Sequence, residues 1–431
     1  MGSPPSAIRT QPARLLGLLV LGALWAAAAT SARDHPRPVT TTPEPAATRA
    51  PVALRQAAPA RPPVTVRQAA PAPAPSAPRP AAARRPAARP SARRVFTLLA
   101  SGDVLSHGSV VARARAYGAR SGRRFDFRPM FAAIRPIVAA ADLAVCHLET
   151  PLSPTGRNLS GYPTFNAPPQ LAAAIRGAGY DLCSTASNHA LDRGPAGVAG
   201  TLAVLDRAGL RHAGTARGPR EAGPTLLTVR GVRVAVASFT YGLNGFRPPP
   251  GRPWLVNLLD PHRVLAVTRA ARRAGSRFTV VVLHWGQEYR SAPTPAQRTL
   301  ARRLLADPSV DLVLGHHAHV VQPVWRVKGK WVAFGLGNSL SAQSAACCPA
   351  ATQDGVLLRV RVVERDGRLL ADQVRYTPTW VEHPSYRVLP VTKRLASRSA
   401  SPATRAALRA SLRRTASAVG PATRPAPLRW R

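Results

Sequence analysis

"DLVLGHHAHVVQPV", residues 311–324, decides how the fold is read. The apolar run after Asp311 reads as a short buried strand. His316, His317 and His319 then fall within four residues, in a chain with 11 histidines in all. Residues two apart on an extended segment point to one side, so His317 and His319 form a pair. A polar turn would account for this stretch alone. It would not account for ligand-type residues ending other strands in the same way.

They do end other strands. "VFTLLASGD" (95–103) ends in Asp103, with His107 four residues on. "DLAVCHLE" (142–149) ends in Glu149, with His147 beside it. "DLCSTASNHA" (181–190) delivers Asn188 and His189, and Asp192 follows. "RFTVVVLHWG" (277–286) delivers His284. Helical stretches separate these strands. "PPQLAAAIRGAG" is stopped by glycine. "DPHRVLAVTRAARRAG" opens on a cap, Asp260–Pro261. "FRPMFAAIRPIVAAA" (127–141) reads as helical, kinked or ended at Pro136. Beyond residue 324 the texture is β-rich, with a hairpin turn in "RDGR" (365–368). Strand–helix alternation followed by a β-rich tail predicts α/β layers with helices outside. In open α/β sheets ligands gather beyond the carboxyl ends of strands, so these distant residues are expected to converge.

The flanks differ in kind. Residues 1–32 read as a signal peptide: Arg9 and Arg14, then "LLGLLVLGALW", then small residues. An uncleaved N-terminal anchor is the alternative, although the apolar run is shorter than the roughly 20 residues of a membrane span. Residues 33–94, dominated by Ala, Pro and Arg, predict a disordered linker. Residues 393–431 predict a basic disordered tail, which leaves 95–392 as one folded domain. The formal charge is +41. Up to Arg94 there are 14 basic and 2 acidic residues; from Lys393 on there are 10 basic and none acidic. Only three of the 60 basic residues are lysines, a bias of the whole chain that gives nucleic acid binding little support. An exported basic protein would meet anionic wall polymers, lipid head groups or another acidic polymer. Cys146 and Cys183 lie in apolar runs and read as buried thiols. Cys347 and Cys348 lie in a loop-like stretch, and their pairing stays open. No CxxC zinc pattern occurs.

The chemistry of the converging set is that of a metal centre. Two divalent ions about 3.5–4 Å apart can clamp a phosphate-like group and activate water. Asp103 and Glu149 supply charge, Asn188 an uncharged oxygen, and His284, His317 and His319 nitrogen. His189, facing the open side, is placed to donate a proton to a leaving group.

"SGDVLSHGSV", "LAVCHLETPLS", "STASNHALDRG", "VVLHWGQEY", "GHHAHVVQPV" and "FGLGNSL" resemble the successive motifs of the CapA family. These are capsule or poly-γ-glutamate synthesis proteins of the calcineurin-like metallophosphatase superfamily. The resemblance covers roughly residues 97–385. It implies a four-layer α/β/β/α sandwich and the metal ligands Asp103, Glu149, Asn188, His284, His317 and His319. His189 and His107 would be the catalytic pair, and His147, Asp192, His316 and Asn338 would line the pocket. Two positions depart from the metallophosphatase pattern. The residue two after Asp103 is Leu105 where Asp-x-His is usual, with His107 later, and Glu149 stands where Asp is usual. Which two of His316, His317 and His319 are ligands stays open. The resemblance implies two divalent ions (Mn, Fe, Zn or Mg) and an anionic surface polymer such as poly-γ-glutamate as partner, and the N-terminal signal or anchor implies an extracytoplasmic site of action, secreted or membrane-anchored. Two functions fit: a metal-dependent hydrolase acting on a phosphoester or amide, or a non-catalytic protein holding an anionic polymer in the same pocket.

Overall fold

The computed structural model describes residues 95–421 and 424–425. The expected signal or anchor and the linker lie outside the described residues. From β1 (Val95–Val104) the chain runs through α1 (Gly108–Ala119), α2 (Arg128–Phe131) and α3 (Arg135–Val138) to β2 (Leu143–Leu148). Then come α4 (Gln170–Ala178), β3 (Leu182–Ser184), α5 (Gly194–Arg207), β4 (Arg211–Ala213), β5 (Thr225–Val229) and β6 (Val232–Thr240). α6 (Pro261–Arg273), β7 (Phe278–His284), α7 (Pro295–Ala306) and β8 (Leu312–His316) follow. The β-rich part comprises β9 (Val324–Val327), β10 (Lys330–Ala333), β11 (Asn338–Leu340), β12 (Asp354–Arg365), β13 (Arg368–Glu382) and β14 (Arg387–Pro390). α8 (Val391–Ala396), α9 (Pro402–Val419) and β15 (Arg424–Pro425) are the last described elements.

Two sheets form. One has the order β14-β13-β12-β1-β2-β3-β4, with β11 on β1 and β15 on β13; the other has β5-β6-β7-β8-β10-β9. Strand alternation sets the layers. Phe96, Leu98 and Ala100 of β1 pack with Phe278, Val280 and Val282 of β7 between the sheets, and the Phe96 and Phe278 rings meet at 5.9 Å. Leu99, on the other side of β1, packs against α1 to α5. Val281 and Leu283, on the other side of β7, pack against α6 and α7. The result is the expected α/β/β/α order. Strands β1, β2, β3, β7 and β8 run parallel within their sheets, so their carboxyl ends open to one edge of the sandwich.

Local signals explain most elements. Asp260 caps α6 by accepting from Arg263 N at 2.7 Å. Thr294 and Gln297 form a capping box on α7. Gly179, at φ 104°, ends α4 in the left-handed conformation. Asp366 and Gly367 both have positive φ in the β12–β13 turn, the signature of a type I′ hairpin. No described helix is long and apolar enough to cross a membrane.

Three expectations are corrected. The stretch 127–141 forms two one-turn helices, each opened by a proline, because Pro129 and Pro136 are better at starting a helix than at continuing one. Residues 393–431 are not uniformly disordered: α8 and α9 occupy most of 391–419. Ser401 caps α9 ahead of Pro402, Leu408, Ser411, Thr415 and Val419 make its buried stripe, and Arg414 pairs with buried Asp354 at 2.6 Å. Cys146 and Cys183 are not thiols but a disulfide with Cα atoms 4.5 Å apart. They face each other in register on β2 and β3. The bond closes a 37-residue separation, for which loop-closure entropy gives about 4 kcal/mol. The Cys146→Ala/Cys183→Ala variant should lose that much in urea unfolding. A loss below about 1 kcal/mol would mean that β2–β3 packing alone fixes this edge.

Candidate metal centre

The carboxyl ends of β1, β2, β7 and β8 and the loop after β3 bring the predicted residues together. Asp103, on β1, is 1% exposed. Its Oδ1 lies 2.6 Å from His316 Nδ1, and its Oδ2 accepts from His317 N at 3.1 Å and sits 3.2 Å from His319 Nδ1. Burial alone would raise its pKa. The hydrogen bonds from His316 and His319 hold the carboxyl well below the usual range instead. His319 is correspondingly held at about 9: burial opposes its charge, and the carboxylates of Glu149 and Asp103 outweigh that.

Glu149 follows β2 and is also 1% exposed. Neither of its oxygens has a hydrogen-bond partner. Oε1 lies 3.9 Å from His284 Nε2 and 3.7 Å from His319 Nε2. Burial, reinforced by Asp103, pushes its pKa well above the ordinary value. A buried carboxylate without a donor is costly, and a cation is the partner it lacks.

His284 ends β7. Its Nδ1 lies 2.9 Å from His147 Nε2, and His147 Nδ1 lies 2.8 Å from Ser184 Oγ. Ser184 Oγ donates to Cys146 O at 3.2 Å, so His147 Nδ1 must donate to Ser184. Burial, then neighbouring imidazoles, keeps both histidines far below their ordinary pKa and neutral. His284 Nδ1 therefore donates to His147, and the bare lone pair of His284 Nε2 faces Asn188 Oδ1 at 2.9 Å. Asn188 Nδ2 donates to Asn244 Oδ1 at 3.2 Å, which turns its oxygen toward His284. Two lone pairs face each other where a cation would satisfy both. Two donors each about 2.1 Å from one ion lie about 3–4 Å apart, and the Glu149–His284, Glu149–His319 and Asp103–His319 separations fall in that range.

His317 and His319 have φ 87° and 54°. Left-handed backbone is unfavourable for residues other than glycine, and it collects at functional sites. His317 Nδ1 is buried without a partner, and burial pushes this histidine down to about 3. The expected period-2 pairing is therefore not what orients these two side chains; the bent backbone is. Four donor groupings result: Asp103–His147–His316, His147–Glu149–His284, Glu288–His317–His319 and Asp103–Glu149–His319. All of these donors but Glu288 are buried, and the clusters are compatible with metal binding.

The pocket residues fall around this set. His316 backs Asp103 and stacks on His147 at 4.1 Å. Asn338 Oδ1 lies 3.2 Å from His319 Nδ1, while its Nδ2 donates to Gln343 Oε1 and Thr352 O. His189 Nδ1 donates to Asp192 Oδ2 at 2.8 Å, and the same oxygen accepts from Phe165 N at 2.7 Å. His107 is not in a donor grouping. Its Nδ1 accepts from Ala342 N at 3.3 Å, burial lowers it to about 4, and its ring meets the Phe165 ring that also meets His189. Sequence reasoning missed Glu288, Tyr241 and Asn244. Glu288 follows His284 by four residues in "HWGQE". Tyr241, 4.5 Å from the His317 ring, and Asn244 both sit in the loop after β6, which carried no ligand-type signal.

The model of the bacterial capsule synthesis protein PGA_cap family matches residues 97–343. PGA biosynthesis protein CapA of Bacillus subtilis (strain 168) is 27% identical over 214 residues, 48% of this chain and 56% of that protein. Capsule biosynthesis protein CapA of Bacillus anthracis is 28% identical over 178 residues, 40% and 43% of the two chains. The chain spans about half the length of the curated relatives it matches. Among solved structures, the calcineurin-like phosphoesterase YfkN of Bacillus subtilis is similar at TM-score 0.41 and 11% identity, over 75% of this chain and 97% of that one. A 5'-nucleotidase precursor of Thermus thermophilus is similar at TM-score 0.40 and 18% identity, over 74% and 59%. With more than half of its length matched by one family model, this chain belongs to the bacterial capsule synthesis protein PGA_cap family.

Proposed function

We propose that this chain is a metal-dependent hydrolase of cell-surface polymer synthesis, acting outside the cytoplasm on a phosphoester or amide of an anionic polymer such as poly-γ-glutamate. The observation that carries the reading is the partnerless Glu149 carboxylate at the bottom of a cage of buried donors. Asp103, Glu149, Asn188, His284, His317 and His319 would hold two divalent ions. Such ions supply Lewis acidity toward a phosphoryl or acyl oxygen and toward water. Action outside the cytoplasm is supported by the Cys146–Cys183 disulfide, a bond kept in oxidising compartments.

His189 is the proton donor in this reading. Asp192 accepts from its Nδ1 and would stabilise the imidazolium form, whose Nε2–H is the proton passed to the leaving atom. Phe165 fixes both members: its N–H anchors Asp192, and its ring stands 4.7 Å from His189 at 88°. Asn244 holds the Asn188 amide in its orientation. Replacing His189 by alanine should cut turnover of a phosphodiester or γ-glutamyl amide about 10²–10⁴-fold and leave metal content unchanged. Unchanged turnover with full metal content would remove His189 from the chemistry. It would favour the second reading, a pocket that holds an anionic chain without cleaving it, which the +41 charge supports.

A further inference from the structure

The opposite edge of the second sheet carries another cavity. β7 and β8 end at His284 and His316; at their starts lies a space of about 750 Å³ lined by Arg272, Arg277, Lys328, Lys330, Arg368 and Asp311. At about 3.3 Å per residue, strands of this length separate the two edges by roughly 15–20 Å. The cations come from separate elements: the end of α6, the residue before β7, the β9–β10 turn, and the residue that opens β13.

Charge does not cancel there. Asp311 is matched by Arg272, and Glu364 by Arg277 at 2.6 Å. Nearby Asp307 is matched by Arg269, and Asp372 by Arg361 and Arg365. Asp366, at the tip of the β12–β13 turn, is exposed and does not line the cavity. Lys330 Nζ donates to Asp307 O and Val310 O and shares the Asp311 carboxylate with Arg272, so one acidic group there faces two cations. Lys328 and Arg368 are exposed and have no carboxylate partner among the described residues. Three cations are therefore in surplus. The space is the size of a cleft for a multi-group ligand rather than a single carboxylate. Leu305, Leu369 and Leu370 add aliphatic wall.

We propose that this cavity is a second binding site, for a segment of a linear polycarboxylate with an aliphatic backbone, which it holds away from the metal centre. The polymer's identity rests on the capsule-synthesis reading; the site itself does not depend on hydrolysis. The test is binding of poly-γ-glutamate to the full chain at fixed ionic strength, comparing wild type, Lys328→Glu/Arg368→Glu and the charge-matched control Arg120→Glu/Arg220→Glu. We expect at least tenfold weaker binding in the cavity variant and less than twofold change in the control. If the double variant does not fold, Lys328→Glu alone should weaken binding at least threefold. Equal weakening in both double variants, or none in either, overturns the proposal, as does preference for a polyphosphodiester over the polycarboxylate. Retained polymer affinity with no turnover in any variant would defeat the hydrolase reading alone.

Discussion

Replacing Glu149 by glutamine is expected to strip the protein of divalent metal while leaving its fold intact. The side chain is 1% exposed and both oxygens lack a donor. In the metal-free protein the acid is a liability, because a buried carboxylate without a partner costs several kcal/mol when ionised. Glutamine has nearly the same shape and no charge, so the metal-free variant should unfold at or above the wild-type midpoint. With ion present the order reverses. An ion at a thousand times its Kd stabilises the folded state by about 4 kcal/mol. The variant should lose most of that and, on the proposed hydrolase function, about 10²-fold or more of its turnover. Thermal unfolding with and without Mn or Zn, paired with elemental analysis, reads both arms. A glutamine variant that keeps the full metal-dependent shift would remove Glu149 from the ligand set and leave its burial without a cause.

Gly315→Ala should be the most damaging small substitution in the second sheet, at about 4 kcal/mol or more, the upper end for point changes. A Cβ at this position would come 1.9 Å from Phe334 O and 2.5 Å from Trp285 Nε1. These two atoms are hydrogen-bonded to each other at 3.0 Å, and Leu336 N donates to Gly315 O at 3.1 Å. The obstacle is backbone, which cannot rotate aside, so β8 itself must move. His316 and His317 follow at once, and metal affinity should fall with stability. Gly108→Ala, where nothing lies within 4 Å of the added carbon, is the control and should shift stability by less than about 0.5 kcal/mol. Urea midpoints at constant slope give the comparison. Equal midpoints for the two variants would show that the Phe334 backbone yields freely, against the packing account.

The layers and most of the donors were legible because one local signal, an apolar run ending in a ligand-type residue, repeats along the chain and parallel strands align their ends. What stayed hidden depends on register and on backbone bending. Two apolar cysteines 37 residues apart become a bond only because β2 and β3 place them opposite each other. His147 reads as a neighbour of Glu149, yet its role is to set the proton of His284, a contact across the two sheets that spacing does not encode. The helix at 402–419 hides in an Ala/Arg/Ser composition whose buried stripe includes Ser411 and Thr415 instead of larger apolar residues. Asn244 works through a left-handed residue in a loop, and Glu288 is exposed and meets His317 and His319 only once the chain has folded.

Hydrogen bonds join Ser184, His147 and His284 in one thread, and the facing lone pairs of His284 and Asn188 extend it. Its members belong to β3, β2, β7 and the loop beyond β3, so the thread leaves the first sheet, enters the second and returns. The donor cage is thus a rivet through both halves of the sandwich. Sliding one sheet against the other by a single residue would pull the rivet apart while leaving each sheet's own ladder whole. The chemistry at the edge and the seating of the two inner faces are one mechanical state.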